Sequence, residues 1–192
     1  MKEEKNLHKG HYGHLKRYKQ IRLAIIFLCF LFILTDVVFS LIIFQTRRTL
    51  FIVIAAVMSI PFAKNFVSYL LSLKCKPLSK DEYEETERLS EKHSLEMIYD
   101  VTVTDDDIKF FPVTAIINNS LVAYRPEAKD AAEKKSSTEY LENALEGYKD
   151  KVRICVVDNL GSFDKEISRL VASSKEIRQS SKLRSTLLEA GF

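Results

Sequence analysis

Two long apolar blocks dominate the chain, and a short polar link separates them. The first, Leu23 to Phe44, reads LAIIFLCFLFILTDVVFSLIIF, 22 residues with one charged side chain, Asp36. At 1.5 Å per residue it predicts a helix of about 33 Å, close to the thickness of a bilayer's hydrocarbon core. The second block, Leu50 to Leu73, is cleanly apolar at first and carries Pro61, Lys64 and Asn65 further on. Proline is tolerated in a membrane helix as a kink, and a lysine can extend its ammonium to the nearer interface. The link Gln45–Thr49 leaves room for a tight turn only, so the two blocks read as a transmembrane hairpin, 23–44 and 50–73. A second apolar block so close behind the first argues against a cleaved signal peptide.

Beyond Leu73 the pattern shortens to that of a soluble domain. Ser79-Lys80-Asp81-Glu82 matches a capping box and predicts a charged helix from Lys80 to about His93. Strands follow at Leu95–Thr104, Ile108–Ile117 and Leu121–Tyr124, with turns at Asp105–Asp107 and Asn118-Asn119-Ser120. Pro112 inside the second strand predicts a sheet edge or a bulge, because proline has no N–H to donate. Ser136-Ser137-Thr138-Glu139 reads as another capping box, opening a helix with Tyr140, Leu141, Ala144, Leu145 and Tyr148 on one face. Val152–Val157 has the pattern of a buried strand. Ser162 is expected to cap a helix carrying Phe163, Ile167, Leu170, Val171 and Ile177, and a short helix is expected from Ser180 through Leu188. The expected fold is a membrane α-helical hairpin plus an α+β soluble domain, in the order αβββαβα. A three-stranded antiparallel meander passes by a crossover to a fourth strand. The expected divisions are a basic arm, 1–22, the hairpin, 23–73, and the soluble domain, 74–192.

Charge adds orientation. Met1 to Arg22 holds seven Lys/Arg against Glu3 and Glu4, whereas Lys74 to Phe192 holds 19 basic and 23 acidic residues. The overall charge of +3 therefore belongs to the arm, and the mildly acidic domain argues against a nucleic-acid partner. Positive charge flanks both outer ends of the hairpin, which predicts two spans with N- and C-termini in the cytoplasm. Lys16, Arg17, Lys19 and Arg22 are the expected contacts to anionic lipid headgroups. Tyr12, Tyr18 and Tyr69 are candidates for the interface.

Candidate chemistry is sparse. Asp36 and Lys64 are the polar residues of the membrane part, about 12 Å and about 21 Å from the outer ends of their helices by the helical rise. An intramembrane carboxylate suggests a packing or oligomerisation contact, or an ion site. Cys29, Cys75 and Cys155 form no disulfide framework, and Cys75 lies where palmitoylation occurs in eukaryotes. His8, His11 and His14 are spaced by three, with Gly10 and Gly13 weakening a helix between them. The chain has no GxGxxG, P-loop or GxSxG motif, so no cofactor is expected. His93 is the one histidine of the soluble domain, so a serine triad or a Cys155 dyad would have to be built on it. The order αβββαβ is also that of restriction-endonuclease-like nucleases, including NERD-type members. That family's Asp…Glu-x-Lys metal site would fall on Asp100 or Asp107 with Glu127 and Lys129. Pro126 stands between the third strand and Glu127, whereas the motif belongs inside a strand.

The two-helix hairpin with its short link accompanies three short segments: Met97-Ile98-Tyr99-Asp100, Pro112-Val113-Thr114-Ala115-Ile116 and Asn119-Ser120-Leu121-Val122-Ala123-Tyr124. In this combination the chain resembles an uncharacterised group of small clostridial-type membrane proteins, some labelled O-linked GlcNAc transferase-like. The resemblance implies a bacterial inner membrane and supplies no activity. The chain lacks the helical repeats and paired Rossmann halves that the label would need. The expectation is a membrane-anchored cytoplasmic interaction module without catalytic activity, binding a protein partner or itself. A membrane-tethered enzyme of degenerate nuclease-like fold and a ligand-sensing effector that acts by hairpin oligomerisation are the alternatives.

Overall fold

A computed structural model of the chain describes residues 9–44, 49–104, 108–145, 152–173 and 180–190. Two compact units result. One is residues 15–75; the other joins the N-terminal segment to residues 76–192.

The first unit holds α1 (His14–Phe44) and α2 (Thr49–Leu73). Both are long and apolar enough to cross a membrane. Helix α1 begins well before Leu23, because nothing after Gly13 (φ +86°) interrupts a helix. Helix α2 runs through Pro61, and Asn65 Nδ2 donates to the Pro61 carbonyl at 2.7 Å. Arg22 donates to Asn65 Oδ1 and stacks its guanidinium on the Tyr18 ring, while Lys19 Nζ donates to the Cys75 carbonyl at 2.9 Å. Two of the four expected lipid-facing cations are thus engaged within the hairpin. Lys16 and Arg17 are exposed.

The second unit is a four-stranded sheet in the order β1 (Met97–Thr104), β2 (Ile108–Ile117), β3 (Ser120–Tyr124), β4 (Arg153–Val157). The first three strands pair antiparallel; β4 runs parallel to β3. Helices α3 (Lys80–His93) and α5 (Leu160–Ala172) belong to one face, over Met97, Val113, Val122, Phe163 and Ile167. Helices α4 (Ala131–Ala144) and α6 (Ser181–Glu189) belong to the other, over Ile98, Phe111, Leu121, Leu141 and Leu187. The result is a three-layer α+β domain, covered on both faces. The capping box at Ser79 forms as expected.

Three expectations need correction. Helix α4 starts at Ala131, not at Ser136, since Ala131-Ala132-Glu133-Lys134-Lys135 are all good helix formers. Ser137 is consequently mid-helix and buried. Helix α5 is capped by Asn159, whose Oδ1 accepts from the Ser162 N–H at 2.7 Å, rather than by Ser162 itself. Strand β2 is interior rather than an edge. Its ladder to β3 nevertheless ends at Val113↔Tyr124, so Pro112 lies just past the end of β3. On its other side Pro112 stands opposite Asp100, where the β1 ladder skips a pair. Asp100 is left-handed (φ +54°). Before this point Tyr99 and Val113 face α3 and α5; after it Val101 and Phe111 face α4 and α6. Both strands thus change faces at the Asp100/Pro112 position.

The N-terminal arm departs from a free tail. The Gly10 carbonyl accepts the Tyr99 N–H at 2.9 Å in an antiparallel bridge, which covers part of β1's outer edge. Tyr12 stacks on Tyr83 with centroids 4.0 Å apart and meets Tyr99 edge-on; its hydroxyl donates to the Leu78 carbonyl at 3.3 Å. Tyr12 is therefore packed within the second unit. His8, Arg47, Arg48, Asp105, Asp106, Asp107, Tyr148 and Ile177 lie outside the described residues.

Candidate functional site

The end of β3 helps to build a concavity in the second unit. Strand β3 stops at Tyr124, and Arg125 continues towards β4 through its N–H, which donates to the Val157 carbonyl at 2.8 Å. Pro126 then ends the extended path. Ala128 is fully buried against the α4 side, and its N–H donates to the Arg125 carbonyl at 3.1 Å. This turn leaves Glu127 and Lys129 exposed on either side of the buried alanine. Together with Lys76, Phe110, Pro112, Arg125 and Pro126 they line a cavity of about 270 Å³.

Arg125 is the anchor of this wall. It is only 6% exposed, yet charged. Nη1 donates to Ser137 Oγ at 2.7 Å, and Ser137 in turn donates to the Glu133 carbonyl. Nη2 lies 3.4 Å from Glu133 and 3.7 Å from Glu127. Nε is shielded from solvent and has no hydrogen-bond partner among the described residues. Buried arginine is stable only when paired, and here α4 supplies the pairing.

The nuclease candidates are not gathered. Glu127 and Lys129 share the cavity, but Asp100 lines a separate small cleft with Lys9, Thr102 and Leu187. Asp107 lies outside the described residues. Glu127 is within ion-pair reach of Arg125. Among the described residues no three of His, Cys, Asp and Glu converge as a metal-holding group.

A serine–histidine–aspartate grouping does occur, at the end of α3. His93 Nε2 is 3.4 Å from Ser168 Oγ and 3.7 Å from Asp164 Oδ1. The order is wrong for nucleophilic catalysis. Ser168 donates to Asp164 at 3.2 Å, and the carboxylate meets the same ring nitrogen as the hydroxyl. A triad needs the acid on the opposite nitrogen, so that the imidazole can take the serine proton. The cluster ties α3 to α5. The Cys155 thiol is pushed up by burial, which suppresses the reactive thiolate.

In the first unit, Asp36 and Lys64 form no ion pair among the described residues; Lys64 is exposed, and Asp36 Oδ2 is shielded without a hydrogen-bond partner. Asn65, which carries the hairpin's main polar contact, carried no functional expectation. A polar residue i+4 from a proline inside a long apolar helix is the signal that points to it.

No family model, curated protein or solved structure matches this chain.

Proposed function

We propose that the chain is a membrane-anchored cytoplasmic binding module without catalytic activity. The observation behind this reading is where the exposed apolar surface lies. Every large hydrophobic side chain exposed among the described residues falls between Ile21 and Leu73, with Phe27, Leu28 and Ile60 each about two-thirds exposed. A water-soluble chain does not leave a continuous apolar surface of that kind uncovered, whereas a bilayer covers it. The described residues of the second unit show no such patch, and both faces of its sheet are covered by helices. The N-terminal segment and residues 76–192 belong to one unit. That arrangement supports a hairpin whose two ends leave from the same side. The flanking lysines and arginines support the cytoplasm as that side. The resemblance to small clostridial-type proteins supports a bacterial inner membrane.

Asp36, a carboxyl residue inside the first apolar span, supports self-association through the hairpin, because an intramembrane carboxyl group favours a polar contact with a second copy. In vivo crosslinking of the membrane-embedded protein, with Asp36→Asn alongside, tests this. A crosslinked second copy, weakened by the substitution, is the expected result. A monomeric, partner-free profile in both proteins sinks the self-association and partner readings.

The ligand-binding version of the module has its own support in the cavity at Arg125, where three cationic side chains and one carboxylate converge. Helices on both faces of the sheet, and no large exposed hydrophobic side chain among the described residues of this unit, favour this version over a protein partner. The element order and the parallel β4 support a restriction-endonuclease-like ancestry, retained as a relic. Asp100 and Glu127 line separate clefts, which supports a module that has no catalytic metal site.

A further inference from the structure

We propose that the cavity beside Arg125 binds a phosphate-bearing anion between Lys76 and Lys129. This rests on reading the domain as a binding module. Lys76, Arg125 and Lys129 contribute three positive charges to the lining and Glu127 one negative charge. With Glu133 also paired to Arg125, the remaining positive charge sits on the two lysines and attracts an anion such as a phosphomonoester, which carries about −1.5 to −2 at neutral pH. Arg125 is fixed from behind by Ser137 and Glu133, so its guanidinium is a rigid wall rather than a mobile arm. Its Nε, shielded from solvent, has no hydrogen-bond partner among the described residues. Lys76 and Lys129 are exposed and free to close on an anion, as lysines do on phosphates. At about 270 Å³ the cavity is far larger than one water needs, and Phe110, Pro112 and Pro126 give it an apolar side. A phosphate with a small apolar body fits this division.

Lys76 lies three residues after Leu73, the last residue of α2, so the phosphate source is either soluble or a lipid headgroup. The full-length protein in neutral phosphatidylcholine nanodiscs is treated with an amine-acylating reagent, and labelling of Lys76, Lys129 and the distant exposed Lys135 is followed by mass spectrometry. In one arm phenyl phosphate is added. In the other, the discs contain phosphatidic acid, whose headgroup is a phosphomonoester. Phosphatidylglycerol discs supply negative surface without that group. At ten times the dissociation constant mass action leaves about one site in eleven empty, so labelling of Lys76 and Lys129 slows about tenfold while Lys135 is unchanged. Slowing with phenyl phosphate identifies a soluble ligand; slowing with phosphatidic acid but not phosphatidylglycerol identifies a lipid. Lys129→Ala abolishes the protection of Lys76, and Glu127→Gln strengthens it by removing the competing carboxylate. Unchanged labelling in both arms, equal slowing at Lys135, or protection of Lys76 that survives Lys129→Ala overturns the proposal. A failure of membrane anchoring is seen separately, as protein that does not enter the discs.

Discussion

Gly10 is the hinge of the N-terminal segment, and replacing it with alanine isolates what that segment contributes. Its φ of +88° lies where an L-residue is strained. Adopting a left-handed backbone costs a non-glycine residue about 1–2 kcal/mol. The added Cβ would also stand 3.2 Å from Ile98 Cγ2 and Leu188 Cδ2. Both are ends of flexible side chains and can yield by a few tenths of an ångström, so the backbone term dominates. A penalty of about 1–2 kcal/mol raises the open fraction of the segment about 5- to 30-fold. The reporter is the Tyr99 amide, which donates to the Gly10 carbonyl. In native-state hydrogen exchange its rate in Gly10→Ala rises by that factor, while core amides of β2 and β3 keep theirs. Gly161→Ala is the contrasting control. Gly161 lies in the first turn of α5, and a Cβ there meets only Asn159 Oδ1, at an ordinary 3.5 Å. That change leaves Tyr99 exchange untouched and stabilises the domain slightly. If Tyr99 exchanges equally in wild type and Gly10→Ala, the segment is not what protects β1, and the account of its edge is wrong.

Other substitutions probe the two units separately. Ser137→Ala removes the acceptor of a buried guanidinium and destabilises the soluble domain by about 1.5–3 kcal/mol, read from urea unfolding followed by tyrosine near-ultraviolet circular dichroism; a change near zero refutes the anchoring role. Asn65→Leu strands Arg22 and weakens the hairpin by about 1 kcal/mol, measured by steric trapping in bicelles; greater stability contradicts the contact. Alkaline pH tests the tyrosine clusters. Burial, with Glu87 beside Tyr83 and Glu82 beside Tyr124, pushes both phenols up from 10.0 to about 12. Between those values the unfolded chain releases protons that the folded domain retains. The stability from these phenols is therefore complete below pH 10 and falls from pH 10 towards 12. Ultraviolet phenolate absorbance of the folded protein with these two tyrosines ionising near 10 disproves it.

The two long apolar helices were legible because a long, nearly charge-free run is a signal that needs no tertiary information. The strands were legible from β-branched runs and their turns. The face change at Asp100 was not. Leu95, Met97, Tyr99, Val101 and Val103 alternate without a break, which places all five on one side of an ideal strand. The left-handed Asp100 opposite Pro112 sends Val101 and Val103 to the other side. Pro112 was a correct sign of an interrupted ladder, but the missing neighbour was β3's end rather than a whole strand. The start of α4 was misread because capping chemistry at Ser136 outweighed the plain helix propensity upstream. At the cavity, Glu127 and Lys129 were visible as a spacing. Their partners Lys76 and Arg125 come from elsewhere in the chain or from inside a strand's exit, and no local pattern links them. The join between Gly10 and Tyr99 was illegible for the same reason.

That join also bears on how the protein is made. The amino end is synthesised first, and it waits through the whole hairpin before Tyr99 leaves the ribosome. If both helices insert, Tyr12 and Tyr83 emerge in the same compartment and can stack. If only one inserts, the two rings are left on opposite sides of the bilayer and the domain stays open along β1. On the proposed two-span topology, closure of the tyrosine stack therefore requires both helices to insert, and a misinserted chain would leave the outer edge of β1 uncovered at Tyr99.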